Sequence, residues 1–227
     1  MNKIAIIGTA TTSIEMADRL DDSWIIYSCN GAFNQIKRTD LHFELHDIDY
    51  LKRLQPPAVP EYFEFLKAGG DKVMLNKAYK EFPDALIYPL KKILGYFGSP
   101  YFNNTIALML AHALYNHDNI SDISLIGVDM AGDGEYAGQR SCCEFYLGYA
   151  RARGIRIHLP PMCPLLKTTH IYGFETPPAY VVSSKQKQKK LIQVRDEAEE
   201  AFELAKRNLH HVNGMIDFND NMIRTFG

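Results

Sequence analysis

The sequence lacks the features that mark membrane, secreted and zinc-binding proteins. No apolar stretch approaches the roughly 20 residues that a membrane-spanning helix needs, and the first apolar run, residues 4–7, is too short for a secretory signal. The chain shows neither a C-x-x-C pair nor zinc-ligand spacing among its four cysteines: Cys29, Cys142, Cys143 and Cys163. We therefore expect a cytoplasmic protein in a reducing compartment, without a membrane span.

The sequence also has little net charge. It contains 25 Lys and Arg against 27 Asp and Glu, a formal charge of −2 at pH 7. This balance argues against a broad phosphate-neutralising surface for duplex nucleic acid, although it allows a local basic pocket. The hydrophobic fraction of 46% and the charged fraction of 23% exclude the disordered and fibrous classes. A chain of 227 residues fits one large α/β domain, with or without a helical appendage.

Three common signatures of phosphate binding or catalysis are missing. The first glycine-containing loop, residues 8–13, reads GTATTS, and Ala10 and Ser13 stand where G-x-G-x-x-G would have its second and third glycines. A Walker A loop is excluded because no G-K-[ST] occurs, and the G-x-S-x-G elbow of serine hydrolases is absent. The loop can still offer amides and hydroxyls to an anion, or be an ordinary turn capped by Thr12 or Ser13.

Short apolar runs alternate with helical patterns along the first 160 residues. The runs predict strands at residues 3–7, 24–28, 41–45, 71–75, 85–88, 123–126 and 155–158. Between them, the spacing predicts helices at residues 14–20, 61–68, 90–97, 104–115 and 144–153. This alternation predicts a Rossmann-like α/β fold, with a mostly parallel sheet and helices on both faces, in a domain of residues 1–180.

The composition changes from Ser183 onwards. A basic lead-in, KQKQKK, precedes apolar residues at positions 191, 194, 198, 201, 205, 212 and 215. This spacing mostly alternates three and four, which predicts an amphipathic helix with a coiled-coil-like seam in an extension of residues 181–227. The helix either packs on its own domain or forms a homo-oligomer through residues 191–216.

Polar residues follow the predicted strands, where open parallel sheets bind their ligands. Asn30 and Gly31 either read a base or sugar edge or form a turn. Glu44 and His46 would point the same way on a continuing strand, which makes His46 a candidate general base beside a carboxylate. Asp47 and Asp49 extend this cluster, which can equally be a solvated surface.

Two further polar segments are candidates for ligand binding. Asn103, Asn104 and Thr105 precede the buried helix and offer capping groups and a second seat for an anion. The loop at residues 129–140 is long and polar, which is typical of function. Its Tyr136 and Arg140 can contact a phosphate. Its acids can bind a divalent metal such as magnesium, although many acid-rich loops bind none: Asp129, Asp133 and Glu135.

The sequence resembles a family of phage and prophage proteins without an established activity. The resemblance covers about residues 3–175 and rests on the runs KIAIIGTATTS, SCN, FELHD, NNTIALMLA, GVDM followed by EYAGQR, and PPMCPLLK. Such a protein would work in the cytoplasm of a bacterial host.

More distantly, the layout is similar to bacterial sialyltransferases and to archaeal pterin pyrophosphokinase-like proteins. In the sialyltransferases the matching stretches cradle a cytidine nucleotide, and tyrosines contact its phosphate. The resemblance implies nucleotide-binding roles for Gly8, Thr9, Ser13, Asn30, Asn104, Thr105 and Tyr136. The first loop departs from the families' G-P-S core, and residues 137–157 contain no histidine to serve as their general base. His158 is the first histidine after that stretch, and His46, Glu44 and Glu144 are the substitutes.

These residues and resemblances predict a nucleotide-dependent transferase that moves a glycosyl group from a nucleotide sugar. His46 and Glu44 would handle the acceptor proton, and Asp129 or Glu135 would stabilise an oxocarbenium-like centre. For a phage protein, the acceptor would be a glycan or a modified DNA base, and nothing in the sequence selects between them. A module that only captures a nucleotide is the first alternative. A magnesium-dependent pyrophosphoryl transferase is the second.

Overall fold

The strands of the computed structural model form one parallel sheet. The model describes residues 1–53, 60–130, 135–168, 170–174 and 177–226, and the chain divides into two compact units, Met1–Lys167 and Thr168–Gly227. The strands are β1 (Asn2–Ile7), β2 (Trp24–Cys29), β3 (Leu41–Glu44), β4 (Val73–Leu75), β5 (Leu86–Ile87), β6 (Ile120–Ile126) and β7 (Arg156–His158). Their order is β5-β4-β3-β2-β1-β6-β7, and each described pair is parallel. The predicted α/β fold is confirmed.

Helices connect the strands on both faces of this sheet. The α-helices of the first unit are α1 (Ile48–Leu51), α2 (Pro60–Gly69), α3 (Leu90–Phe97), α4 (Thr105–Asn116) and α5 (Glu135–Ala152). Short 3₁₀ helices span Ile14–Arg19, Asn30–Asn34 and Gly70–Lys72. The predicted bounds of α3 match the structure, and α4 is buried nearly all round, as its composition indicates.

The side chains of β1 alternate between the two faces of the sheet and pack in a different core on each face. Ile4 and Ile6 point to one face, where they pack in the large core formed with α3, α4 and α5. Ala5 and Ile7 point to the other face and pack against the 3₁₀ helix Ile14–Arg19. A fully buried parallel strand has to be apolar on both sides, which is why residues 4–7 read as an uninterrupted apolar run.

The first crossover differs from the predicted helix. Residues 14–19 form a 3₁₀ helix, and Ser13 occupies the cap position without capping it through its side chain. The Ser13 hydroxyl instead accepts a hydrogen bond from the Gly127 amide, at 2.9 Å. The prediction of a Ser13 cap was wrong because a backbone amide at the end of β6 competes for the same oxygen.

The predicted loop at residues 129–140 is partly helical. Helix α5 begins at Glu135, nine residues before the predicted start at Glu144. Side-chain amides of Asn103 and Asn104 donate to the carbonyls of Gly138 and Gln139, at 3.0 and 3.2 Å. These contacts come from another part of the chain, and they support a first turn of α5 that its glycines alone would weaken.

The order of the strands reverses between β1 and β6, at the centre of the sheet. Two glycines there bring the ends of these strands close together. A Cβ atom at Gly8 would lie 2.4 Å from the Gly127 carbonyl oxygen, and one at Gly127 would lie 2.7 Å from the Gly8 carbonyl oxygen. Gly127 also has a φ of +65°, which favours glycine.

We expect Gly8→Ala to destabilise the protein by about 1–3 kcal/mol, because its new methyl group would overlap backbone atoms that cannot rotate away. The matched control is Gly148→Ala on α5, where a Cβ meets nothing within 4 Å and the free energy of unfolding should rise by up to about 1 kcal/mol. Urea denaturation of the two variants measures both effects. Equal stabilities for the two variants would contradict the close approach.

The second unit contains α6 (Ala179–Phe226), a helix of 48 residues. It extends the predicted helix of residues 191–216 in both directions, so the basic lead-in is helical as well. The predicted domain boundary between residues 180 and 181 stays a prediction. Among the described residues, no helix combines the length and the apolarity that a membrane crossing requires.

Candidate functional site

A cleft of about 510 Å³ lies at the carboxyl ends of the central strands. Its lining comes from the end of β2 and from the chain that follows β1, β2, β3 and β6, together with the start of α4 and Gln139 of α5. The lining residues are Gly8, Thr9, Ala10, Cys29, Asn30, His46, Asn103, Asn104, Thr105, Ile106, Gly127, Val128, Asp129, Met130 and Gln139. This is the point where the strand order reverses, which is where open α/β sheets bind ligands.

The backbone around the cleft is held in an uncommon conformation. Asn30 has a φ of +50° and Met130 a φ of +43°, both in the left-handed region that side chains disfavour. The buried Oδ1 atom of Asn30 has no hydrogen-bond partner among the described residues. Backbone strain and an unpaired polar atom are each costly, and both concentrate at functional sites. Their coincidence at Asn30 marks a group that a ligand can satisfy.

The start of α4 forms one wall of the cleft. The Asn104 side chain caps this helix by accepting from the Ala107 amide at 2.9 Å, as predicted. Its amide nitrogen donates to Asn103 Oδ1 and to the Gln139 carbonyl. Asn104 therefore fixes the position of the helix, and the amides of Thr105 and Ile106 are the first-turn groups that an anion can reach.

An acidic group faces the cleft at the end of β6. Asp129 accepts from the Thr12 hydroxyl, which lies 2.7 and 2.8 Å from its two carboxylate oxygens. Thr12 stands on the loop after β1, so this contact joins the two strand ends above the paired glycines. It holds the carboxylate in place without neutralising its charge.

His46 stands at the edge of the cleft and is oriented from behind by Glu44. The Oε1 atom of Glu44 lies 2.7 Å from His46 Nδ1 and accepts from the His46 amide at 2.9 Å. The Glu44 side chain is 2% exposed and that of His46 is 48% exposed. The hydrogen bond to this carboxylate raises the pKa of His46. A proton on Nδ1 leaves the Nε2 lone pair as the basic atom of the ring.

A buried chain of hydrogen bonds continues from Glu44 into the core. Tyr62 donates to Glu44 Oε2 at 2.7 Å, and its oxygen lies 2.9 Å from His42 Nε2. Burial lowers the pKa of His42 to about 4, so this ring is neutral near pH 7. Its Nε2 then donates to Tyr62, and its Nδ1 accepts from Ser28 at 2.8 Å. Every donor in the chain points towards Glu44, which stabilises the carboxylate.

Sequence reasoning did not single out His42 or Tyr62, and it considered Thr12 only as a candidate cap. For His42 there was a signal in the sequence, because His42, Glu44 and His46 follow one another at intervals of two residues along β3 and just beyond it. Tyr62 lies on α2 and Thr12 on the first loop, and only the tertiary structure brings them to their carboxylates. Burial raises the pKa of the Cys29 thiol in the cleft to about 12, so this sulfur stays protonated and is a poor nucleophile.

The cleft brings together seven of the twelve residues predicted for the site: Gly8, Thr9, Asn30, His46, Asn104, Thr105 and Asp129. Glu44 lies behind His46. Ser13 bonds to the Gly127 amide, and Arg140 donates to Glu144 and to the Lys167 carbonyl, both at 2.9 Å. Neither Ser13 nor Arg140 is in the lining. The side chains of Glu135 and Tyr136 lie outside the described part of the structure.

The acids predicted to hold a metal are incompletely described. Asp133 lies outside the described residues, as does the Glu135 side chain, so only Asp129 of the three is placed. Asp47 caps α1 and pairs with Lys77 at 2.7 Å. Within the described part of the chain, no group of three or more His, Cys, Asp or Glu side chains is arranged to hold a metal ion.

Comparison with known proteins gives a distant structural similarity. No family model and no curated protein matches the sequence. Among solved structures, the chain is similar to the sialyltransferase CST-II in complex with CMP, at 17% identity and a TM-score of 0.43, over 72% of this chain and 82% of that chain. A second structure, of the alpha-2,3/8-sialyltransferase CstII, has 17% identity and a TM-score of 0.36, over 80% of this chain and 99% of that chain. At these scores the similarity carries no functional argument.

We expect Glu44→Gln to lower the pKa of His46, because the carboxylate that stabilises the imidazolium ion is replaced by a neutral amide. NMR titration of the His46 ring protons measures the pKa directly. Asp49→Asn, which removes an exposed carboxylate from the same segment, is the matched control and should leave the pKa of His46 almost unchanged. An unchanged or higher pKa in Glu44→Gln would contradict the proposed orientation of His46.

Proposed function

We propose that the cleft binds a nucleotide and that the protein is a nucleotide-dependent transferase, which moves a glycosyl group from a nucleotide sugar to a hydroxyl group. The observation that carries this proposal is the arrangement at the strand reversal. Asn30 with its left-handed backbone, the first-turn residues of α4 and a carboxylate-oriented histidine line one cleft, and Asn30 Oδ1 has no partner among the described residues. Anion-binding amides next to a general base are what transfer from a phosphate-activated donor requires.

The donor would be held at two places in the cleft. Its phosphates would accept from the amides of Thr105 and Ile106, where the dipole of α4 favours negative charge. Thr9, on the loop after β1, would add its hydroxyl or amide. The base or sugar would hydrogen-bond to the side-chain amide of Asn30, whose buried Oδ1 atom has no partner among the described residues. Tyr136 and Arg140 stay predicted phosphate contacts, and Ser13 would act by fixing the Gly127 turn.

His46 would be the general base for the acceptor hydroxyl. Its Nε2 would take the proton as the hydroxyl oxygen attacks the sugar, and Glu44 would stabilise the imidazolium ion that forms. Because Glu44 raises the pKa of His46, the fraction of neutral base falls as the pH drops through that raised value. Turnover should therefore fall on acidification, with an apparent pKa above the ordinary value of about 6.5.

Asp129 would stabilise the reacting sugar. The bond to the leaving phosphate breaks in advance of attack, so positive charge develops at the anomeric carbon, and a fixed carboxylate lowers the energy of that centre. The Thr12 hydroxyl holds Asp129 in position. Glu135 stays a second candidate for this role. A comparison of turnover with and without magnesium shows whether a divalent ion assists the leaving phosphate.

The proposal also includes an acceptor and a cellular compartment for the reaction. The acceptor would be a glycan or a modified DNA base, and the reaction would take place in the cytoplasm of a bacterial host, as for the phage and prophage proteins that the sequence resembles. Capture of a nucleotide without turnover and magnesium-dependent pyrophosphoryl transfer are the competing outcomes.

Thermal unfolding with a panel of nucleotides and nucleotide sugars, with and without magnesium, tests the proposal. Cytidine compounds belong in this panel because of the sequence resemblance to sialyltransferases. A ligand at about 100 times its Kd should add about 2.7 kcal/mol to the free energy of unfolding. We expect one nucleotide sugar to stabilise more than its own nucleotide. Stabilisation by free nucleotides alone would favour capture, an absolute need for magnesium would favour pyrophosphoryl transfer, and no stabilisation would overturn the proposal.

Two substitutions separate binding from chemistry. Asn30→Gly keeps the left-handed backbone but removes the amide, so the nucleotide should bind about 3–10 times more weakly. His46→Ala should reduce turnover by about 10²–10⁴ and leave nucleotide affinity unchanged. Calorimetry measures affinity, and release of free nucleotide measures turnover.

Matched controls make the two results specific. Asn34→Gly makes the same change in the same 3₁₀ helix outside the cleft and should leave affinity unchanged. His158→Ala removes the other candidate base, which lies 2.7 Å from Asp122, and should keep turnover. Full turnover in His46→Ala would transfer the assignment to His158.

A further inference from the structure

Helix α6 carries a regular heptad seam over residues 202–226. Steps of three and four residues alternate without a break through its eight positions, which are Phe202, Ala205, Leu209, Val212, Ile216, Asn219, Ile223 and Phe226. The six large apolar side chains of this seam are all exposed. Phe202 is 66% exposed and Phe226 is 79% exposed. The seam overlaps the shorter pattern at residues 191–215 but is more regular and contains bulkier side chains.

The period of the seam indicates what covers it. A straight α-helix drifts by about 20° per heptad relative to a strict seven-residue repeat. Across the 25 residues of the seam the drift reaches about 70°, so the seam would turn away from any flat surface that it started on. A strict heptad stays in contact only with another helix that supercoils around it. The spacing therefore favours a helical partner.

The length of α6 exceeds the diameter expected for a compact unit of the size of the first. Its 48 residues extend over about 72 Å. A compact unit of 167 residues has a radius of gyration of about 15 Å and therefore a diameter of about 40 Å. A unit of that size covers little more than half of such a helix, whatever the arrangement.

The exposed area of the seam exceeds what a monomer normally presents. Phe202 and Phe226, at the two ends of the seam, expose about 300 Å² between them, and the largest apolar patch on a typical monomer is about 300–600 Å². Leu209, Ile216 and Ile223, each more than half exposed, add to the same stripe. A stable interface needs about 800 Å² from each partner, and a seam of this length supplies an area of that order.

We propose that α6 associates with α6 of a second copy of this chain in a parallel, in-register coiled coil through residues 202–226. Asn219 decides the direction. In a parallel pair it faces Asn219 of the second copy, and the two amides can hydrogen-bond with each other. In an antiparallel pair aligned on the same seam it would face Leu209, which leaves a buried amide without a partner.

The mass of the full-length protein in solution tests the association. Light scattering at pH 8 should give at least twice 25.9 kDa, that is about 51.8 kDa or more. The double variant Leu209→Asp/Ile216→Asp places two acids in the seam and should give 25.9 kDa. Fluorescence of Trp24 in β2 should be unchanged, which shows that the first unit stays folded in the variant.

The matched control adds the same charge to the opposite side of the helix. His210→Asp/Asn221→Asp changes two exposed positions outside the seam and should keep the mass of the unaltered protein. A mass of 25.9 kDa for the unaltered protein would overturn the proposal. An unchanged oligomer in Leu209→Asp/Ile216→Asp would do so as well, since assembly would then use another surface.

Cross-linking tests the direction of the helices. In a parallel pair, Ile223→Cys brings two new thiols together, so mild oxidation should convert most of the protein to a disulfide-linked dimer. The four native cysteines are buried, and Asn221→Cys on the outer face is the control that should remain uncross-linked. Failure of Ile223→Cys to cross-link in an assembled sample would contradict the parallel arrangement.

Discussion

The close approach of Gly8 and Gly127 is the constraint on which the site depends. Most residues at the end of a parallel strand carry a Cβ atom. Here a Cβ atom on either glycine would overlap the carbonyl oxygen of the other. With two glycines, the chain can turn away on both sides of the sheet centre, and the strand reversal becomes an open cleft. Two hydrogen bonds from the loop after β1 hold the chain that follows β6 in place. Ser13 accepts from the Gly127 amide, and Thr12 donates to Asp129.

The second organising element is the buried carboxylate of Glu44. Taking a carboxylate out of water is costly unless donors surround it. Tyr62 and His46 supply them, and His42 orients Tyr62 in turn. As a result, the Glu44 carboxylate holds the His46 ring at Nδ1, and the ring lines the cleft. The same bond that orients His46 also raises its pKa, so structure and proton affinity are set by one contact.

The sequence predicted the fold because the signals for strands and helices are local. Neighbouring residues alone determine the apolar run at residues 4–7, the helical spacing at residues 90–97 and the apolar pattern at residues 104–115. The site was predicted less completely, since its contacts join distant segments. Ser13 meets an amide 114 residues away, and Tyr62 reaches Glu44 from α2. The start of α5 was missed for the same reason, because Asn103 and Asn104 stabilise it from the segment that precedes α4. The Asn-Gly dipeptide at residues 30–31 is typical of a turn, but no pattern of residue types reports the buried oxygen of Asn30 that lacks a partner among the described residues.

The most direct measurement of the central claim is an NMR titration of the histidine Cε1 signals with cytidine, uridine and adenosine monophosphates. A nucleotide that occupies the cleft lies beside His46, while His158, His210 and His211 do not line it. The account predicts that one of the three nucleotides shifts the His46 signal saturably and leaves those three signals in place. If His46 stays unshifted at millimolar concentrations of all three, the cleft is not a nucleotide site and the account is contradicted.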